Sequence, residues 1–315
     1  MEWDIPELLD RPCRIDDLAA RTGIDVDTLE RVLRYAAGRG FVAMDRRGRF
    51  RASAVTAVLR RDHPNSWRGW VDLLGSEWQW NAWRHLDGDL APGVSAIEAS
   101  TGHDFFEYVN RVRPDAGRAF NSAMAAGATI QALALTHGLD WEGTWTVCDV
   151  GGGTGAALEY LLATHDQLRG VLLDLPEVVA DARPALQAEG RCRIVAGSFF
   201  DAVPPGCDRY LLLAVVHDWD DTDAAVILSR VREALTADPS GRSRAIVVES
   251  ILPRRPEGDV VEATHLMMRV LATGRERTRV QFDDLFRRSG LAIEAARPLA
   301  SGFTAFILRV SPSEL

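Results

Sequence analysis

Val147-Cys148-Asp149-Val150-Gly151-Gly152-Gly153-Thr154-Gly155, with Leu172-Leu173-Asp174-Leu175-Pro176 after it, reads as a buried strand, a glycine turn, a helix start and a second strand ending in an acid. Glycines at 151, 153 and 155 let the backbone turn sharply and come close to a ligand, because no Cβ intervenes. Asp174 stands 19 residues past Gly155, where a carboxylate at a strand end can accept two hydrogen bonds from ribose hydroxyls. The pattern is that of a nucleoside-cofactor site. Spacing alone leaves the cofactor open, since Gly151, Gly153 and Ala156 also satisfy the dinucleotide fingerprint G-x-G-x-x-G/A. A tight βα turn that binds nothing would satisfy it too.

Around this turn, apolar strand patterns at 145–149, 170–174, 193–196, 209–216, 245–251, 291–296 and 305–310 alternate with helical ones that include 223–235 and 260–271. This predicts a doubly wound α/β domain with a strand-rich end. Upstream, residues 66–135 are helical in pattern and rich in large rings. Four of the nine tryptophans fall between Trp70 and Trp83, so part of this segment is expected to wall an apolar pocket. Residues 15–60 read as helix, turn, helix and small hairpin, with Leu29, Val32, Leu33 and Ala36 at helical spacing. That is a winged-helix pattern. The boundary falls near 137–143, giving domains 1–137 and 138–315.

Composition narrows the function classes. The chain has 315 residues, 47% hydrophobic and 26% charged, with a formal net charge of −9. An acidic balance argues against a nucleic-acid or anionic-membrane partner. The winged-helix segment 1–62, with twelve Arg against eleven Asp and Glu, has almost no surplus to meet a phosphate backbone. No apolar run approaches the roughly 20 residues of a membrane helix, and Met1-Glu2-Trp3-Asp4-Ile5 has no cationic stretch leading an apolar core. A cytoplasmic protein is expected. Cys13, Cys148, Cys192 and Cys207 are scattered without a C-x-x-C pair, so neither a disulfide framework nor a cysteine zinc site is suggested.

Five further segments carry a resemblance: Asp174-Leu175-Pro176, Gly197-Ser198-Phe199-Phe200-Asp201, His217-Asp218-Trp219-Asp220-Asp221, Glu249-Ser250-Ile251-Leu252-Pro253 and Gly274-Arg275-Glu276-Arg277-Thr278. With the glycine turn, and in this order, they resemble the S-adenosylmethionine-dependent small-molecule O-methyltransferases of plants and bacteria. The winged-helix half is similar to that family's dimerisation domain. The resemblance removes the dinucleotide alternative. It implies a Rossmann-like methyltransferase domain behind a mainly helical N-terminal winged-helix domain, a homodimer, and a small-molecule acceptor. It also implies that Gly151 and Gly153 pack on the cofactor's amino-acid portion, that Asp174 binds the ribose, that Ser198 and Phe199 flank the adenine, and that Asp149 and Leu175 complete the contacts. Many relatives carry Asp where Ser198 stands and Lys or Arg where Leu213 stands, so two polar cofactor contacts are missing here. In O-methylating relatives the residue matching His217 takes the acceptor's proton, and those matching Glu249 and Glu276 orient it.

One departure points elsewhere. In Glu262-Ala263-Thr264-His265-Leu266-Met267-Met268, His265 stands where many bacterial relatives have Asp, on a helix that lines the family's acceptor pocket. Two neutral imidazoles, His217 and His265, facing one cavity would be ready ligands for Fe, Zn or Ni. The arrangement resembles the 2-oxo acid C-methyltransferase subgroup. Forming an enolate beside a ketone needs a Lewis acid where a phenol does not. The favoured expectation is therefore metal-assisted C-methylation of a 2-oxo acid at its β-carbon, with Asp218 supporting the metal or its water. Arg111 or Arg113 would pair with the substrate carboxylate, and Trp83 and Met268 would line the pocket. The alternative is O-methylation of an aromatic or polyketide hydroxyl with His217 as base, which the presence of both Glu249 and Glu276 favours.

Overall fold

A computed structural model describes residues 3–312 except 89, 92, 189 and 259; Met1 and Glu2, read above for a leader, lie outside the described residues. The chain forms two compact units, one of residues up to Ser76 with Arg118–Ala126, the other of Glu77–Gly117 with the residues from Gly127 onward.

In the first unit, helices Ile15–Thr22 and Val26–Gly38 precede an antiparallel hairpin of β1 (Val42–Met44) and β2 (Phe50–Ala52). Asp25 caps the second helix by accepting from the Thr28 N–H at 2.9 Å, which satisfies one of the amides the helix start leaves unpaired. Leu18, Leu29, Leu33, Val42 and Phe50 close the core. Val32, expected on the same stripe as Leu29 and Leu33, is exposed.

The second unit is built on seven strands: β3 (Thr146–Val150), β4 (Arg169–Asp174), β5 (Cys192–Ala196), β6 (Arg209–Leu213), β7 (Arg244–Glu249), β8 (Leu291–Pro298) and β9 (Thr304–Val310). Their order is β5-β4-β3-β6-β7-β9-β8. The first five in that order are parallel, and β9 pairs antiparallel with both β7 and β8. Side chains alternate between two cores, as the period-two geometry of a strand requires. Cys148, Val150, Tyr210, Leu212 and Val247 join Ile227, Phe282 and Phe306 on one face. Val147, Leu172, Leu211 and Ile246 join Leu158 and Leu161 on the other. Chain order reverses between β3 and β6, and ligands of open α/β sheets bind at the carboxyl ends of strands at such a point. The glycine turn follows β3 there, and the residues before His217 follow β6.

All seven expected strands form. Two end early, at Leu213 rather than 216 and at Glu249 rather than 251. After Leu213 the backbone turns at Ala214, whose φ of 52° is left-handed for a residue with a Cβ, and Val216–Asp218 is one 3₁₀ turn. The apolar run Leu211 to Val216 hides this turn from any periodicity argument. The four cysteines are free thiols, and no described helix is long and apolar enough to cross a membrane.

Phe282, Phe286 and Phe306 form a buried aromatic knot, with the Phe306 ring 5.0 Å from Phe282 and 5.4 Å from Phe286. Phe306→Ala is expected to cost about 3–5 kcal/mol, read as a lower denaturant midpoint with little change in slope.

Candidate active site

The backbone turns sharply at the glycines, as their spacing suggested. Gly151 has φ 71° and donates its N–H to the Leu173 carbonyl at 2.8 Å. A Cβ there would stand 3.1 Å from the Phe199 ring and 3.2 Å from Val215, so glycine keeps the turn in contact with the segment expected at the adenine. The carboxylate of Asp174 accepts from the N–H groups of Gly153 and Leu175, each at 2.7 Å, and burial raises its pKa. Gly197 donates its N–H to the Asp174 carbonyl at 2.9 Å, and Ser198 Oγ accepts from the Phe200 N–H at 3.2 Å. Asp149 is 1% exposed, and neither carboxylate oxygen has a hydrogen-bond partner among the described residues. Burial, with the Asp174 charge adding to it, pushes Asp149 up to about 7. A carboxylate so placed calls for a donor from outside the chain.

The second half of the site surrounds His217. Glu249, the last residue of β7, is fully buried. Its Oε1 accepts from three successive N–H groups, those of Val215, Val216 and His217, at 3.2, 2.7 and 3.3 Å. His217 Nδ1 lies 2.8 Å from Glu276 Oε1. A carboxylate in that contact accepts, so Nδ1 carries the hydrogen and Nε2 is the nitrogen left to exchange a proton. Glu249 Oε2 lies 3.9 Å from Nδ1, and Asp218 Oδ1 lies 3.5 Å from Nε2. Burial alone would lower the imidazole's pKa, but Glu249, Asp218 and Glu276 outweigh it and push it up to about 10. Burial in turn pushes Asp218 up to about 6 and Glu249 up to about 7, against the pull of His217.

Arg277 fastens this turn from behind. It is fully buried and donates to the Val216 and Trp219 carbonyls, each at 2.8 Å, and to Asp221 at 2.9 Å; Arg275 pairs with Asp221 as well. A Cβ at Gly274 would overlap the His217 carbonyl and the Asp218 and Trp219 backbone, so this glycine allows the 274–278 segment to lie directly on the catalytic turn. An aromatic wall adjoins it. Trp219 stacks on Phe106 at 5.3 Å and meets Phe200 edge-on at 4.7 Å. Sequence reasoning missed Arg277, Ala214 and Phe106 as site residues. The motif Gly274–Thr278 contained Arg277, but its alternating charges look the same whether solvated or buried.

The remaining candidates fall elsewhere. Trp83, on helix Glu77–Arg84, is half-buried; Met268 is buried and His265 half-buried on helix Val260–Leu271. These two helices pack on each other and on helix Ala96–Thr101, and Arg269 ties the second to the chain before Ser95 through the Val94 carbonyl at 2.5 Å. Arg111 pairs with Glu177 at 3.0 Å and is 68% exposed; Arg113 is bound to its neighbour Asp115. Among the described residues, the ligating atoms that converge within 4.8 Å belong to His217, Glu249 and Glu276. His265 is not brought into that group. The expected two-histidine metal site finds no support here: the groups gathered around the His217 imidazole among the described residues are carboxylates, and its Nδ1 is held by Glu276.

Residues 83–292 match the family described as the O-methyltransferase domain. The chain belongs to the O-methyltransferase family. It is 35% identical to the phenazine O-methyltransferase of Lysobacter antibioticus, over 94% of this chain and 86% of that one. The solved mitomycin 7-O-methyltransferase superposes with a TM-score of 0.86 at 32% identity, covering 98% of this chain and 91% of its own. An O-methyltransferase from neocarzinostatin biosynthesis, solved with S-adenosylmethionine and 2-hydroxy-5-methyl naphthoic acid, superposes with a TM-score of 0.77 at 28% identity, covering 98% and 91%. The chain is thus an S-adenosylmethionine-dependent methyltransferase. These relatives methylate oxygen, and the expected metal-assisted C-methylation of a 2-oxo acid, with Fe, Zn or Ni, is set aside on that ground.

In this methyltransferase, Gly274→Ala is expected to lower methyl transfer about 100-fold, the scale for displacing a catalytic group by about an ångström. S-adenosylhomocysteine affinity, measured by calorimetry, is expected to change less than turnover, because the atoms nearest a Cβ at Gly274 belong to His217, Asp218 and Trp219 rather than to the glycine turn.

Proposed function

We propose that this enzyme methylates a hydroxyl on an aromatic or polyketide natural product, with His217 as the general base and Glu249 and Glu276 as its orienting groups. The observation that carries this reading is the His217 imidazole held through Nδ1 by Glu276 at 2.8 Å and made basic by the carboxylates around it. A phenol near pKa 10 and a free imidazole near 6.5 are separated by about 3.5 units, or about 5 kcal/mol. Raising His217 to about 10 removes that gap, so the proton passes from the hydroxyl to Nε2 at little cost. Asp218 and the unpaired Glu249 Oε2 and Glu276 Oε2 then stabilise the imidazolium that results.

The cofactor half fits its ligand. S-adenosylmethionine supplies an electrophilic methyl group on a sulfonium. Gly151, Gly153, Asp149, Asp174, Leu175, Ser198 and Phe199 are proposed to hold it, and the unpaired buried carboxylate of Asp149 supports this. Phe106, Trp219 and Phe200 offer an apolar wall suited to a planar ring. Residues 1–137 are proposed as the dimerisation and lid domain and 138–315 as the cofactor domain. A homodimer is proposed as well, and the exposed apolar side chains of the first unit, Tyr35, Phe41, Met44 and Val55 among them, are available to it.

His217→Ala is expected to lower kcat about 10²- to 10⁴-fold against a hydroxylated fused-ring acceptor; retention of wild-type turnover would defeat the base assignment. The pH profile follows from the sign of the shift. A group whose pKa is raised to about 10 is protonated at neutrality and becomes a base only as pH rises, so log kcat/KM should climb with near-unit slope from about pH 7 to 9. Glu249→Gln keeps an oxygen for the three amides and removes one charge, so it should move that limb to lower pH.

A further inference from the structure

Gln79 is 1% exposed, and neither its carboxamide oxygen nor its nitrogen has a hydrogen-bond partner among the described residues. This is unusual for so polar a side chain, which offers two donors and an acceptor. Some buried polar groups of the same unit are satisfied, Arg277 donating to two carbonyls and Ser243 to the Cys207 carbonyl at 3.0 Å; the unpartnered carboxylates of Asp149, Glu249 and Glu276 belong to the site described above. A Met of similar size would fill the position with no polar atoms to desolvate. The same condition recurs on a helix packed against this one, where His265 Nδ1 is buried without a partner among the described residues.

The two groups sit on helices that pack together. On Glu77–Arg84, Gln79 shares a face with Ala82, one turn on, which is fully buried. On Val260–Leu271, His265 shares a face with buried Met268. Each polar group thus lies on the inward stripe of its helix, at positions where packing alone would select an apolar residue. Neither belongs to the His217 cluster or to the cofactor turn.

We propose that Gln79, with His265 on the helix packed against its own, is a specificity-determining residue that recognises a second hydrogen-bonding substituent on the acceptor, a hydroxyl or carbonyl other than the oxygen that is methylated. This rests on the acceptor reading above and deepens it: the substrate class is a ring system with at least two polar substituents. A site built to hydrogen-bond such a group rejects the analogue lacking it, because its own buried donors and acceptors then stay unpaired.

Gln79→Met tests this in the intact enzyme. Thermal midpoints are measured without ligand, S-adenosylhomocysteine affinity by calorimetry, and KM and kcat with 1,4-dihydroxy-2-naphthoic acid beside the analogue lacking the 4-hydroxyl; dissociation constants come from quenching of the tryptophans. The expected result is a higher midpoint than wild type, unchanged S-adenosylhomocysteine affinity, and a loss of roughly tenfold or more in the preference for the dihydroxy acceptor, carried by KM or the dissociation constant rather than kcat. A lowered midpoint would show that the amide holds structure, and an unchanged preference would show that it serves only a buried water; either overturns the proposal. His265→Leu should reduce the same preference. If wild type binds the naphthoates but attaches no methyl to oxygen, the O-methylation reading fails, while the midpoint and binding preference of Gln79→Met still decide the role of Gln79.

Discussion

Glu249 binds two parts of the site with one carboxylate. It ends β7, fully buried, and its Oε1 faces three successive amide hydrogens of the turn that follows β6. Such a cluster of N–H groups forms an anion-holding concavity, and without it a carboxylate at that depth would carry a large desolvation penalty. The turn in question is the one that presents His217, and it begins at Ala214 in a left-handed conformation that a residue with a Cβ adopts only when its surroundings impose it. Arg277, holding the Val216 and Trp219 carbonyls, supplies the rest of that imposition. The carboxylate grips the turn by its amides and the guanidinium by its carbonyls, so strain at Ala214 is held between two buried charged groups of opposite sign.

The same arrangement sets the chemistry. Carboxylates gathered for structural reasons also raise the basicity of the imidazole among them, and burial raises two of those carboxyls in turn. Each of these groups holds a proton more tightly than its free counterpart does, and the imidazole most tightly of all. This suits the proposed role of His217, a base for a hydroxyl that loses its proton only as its oxygen is attacked.

Much of this was legible in the residues. The glycine turn, Asp174 and the seven strands could be placed because they obey local rules: backbone freedom at 151 and alternation in strands such as β3 and β6. His217, Glu249 and Glu276 are far apart in sequence and came together through family resemblance rather than through any local pattern. Three features had no local signal. Ala214 bends inside an apolar run that reads as continuous strand. Arg277 is buried in a segment whose charges look solvated. Gln79 stands between Trp78 and Trp80 with nothing local to tell which side of the helix is buried. The metal reading of His265 is of a different kind: it rests on residue type alone, whereas coordination depends on convergence, and the groups that converge on His217 among the described residues are carboxylates.

The long helix Pro114–Gly138 passes from one compact unit into the other and back, its stretch Arg118–Ala126 belonging with the residues before Glu77. The polypeptide thus crosses between the units three times, twice within a single unbroken run of helical hydrogen bonds. No single cleavage can release either unit whole. In evolution, halves interleaved in this way would be exchanged less readily than two modules joined end to end.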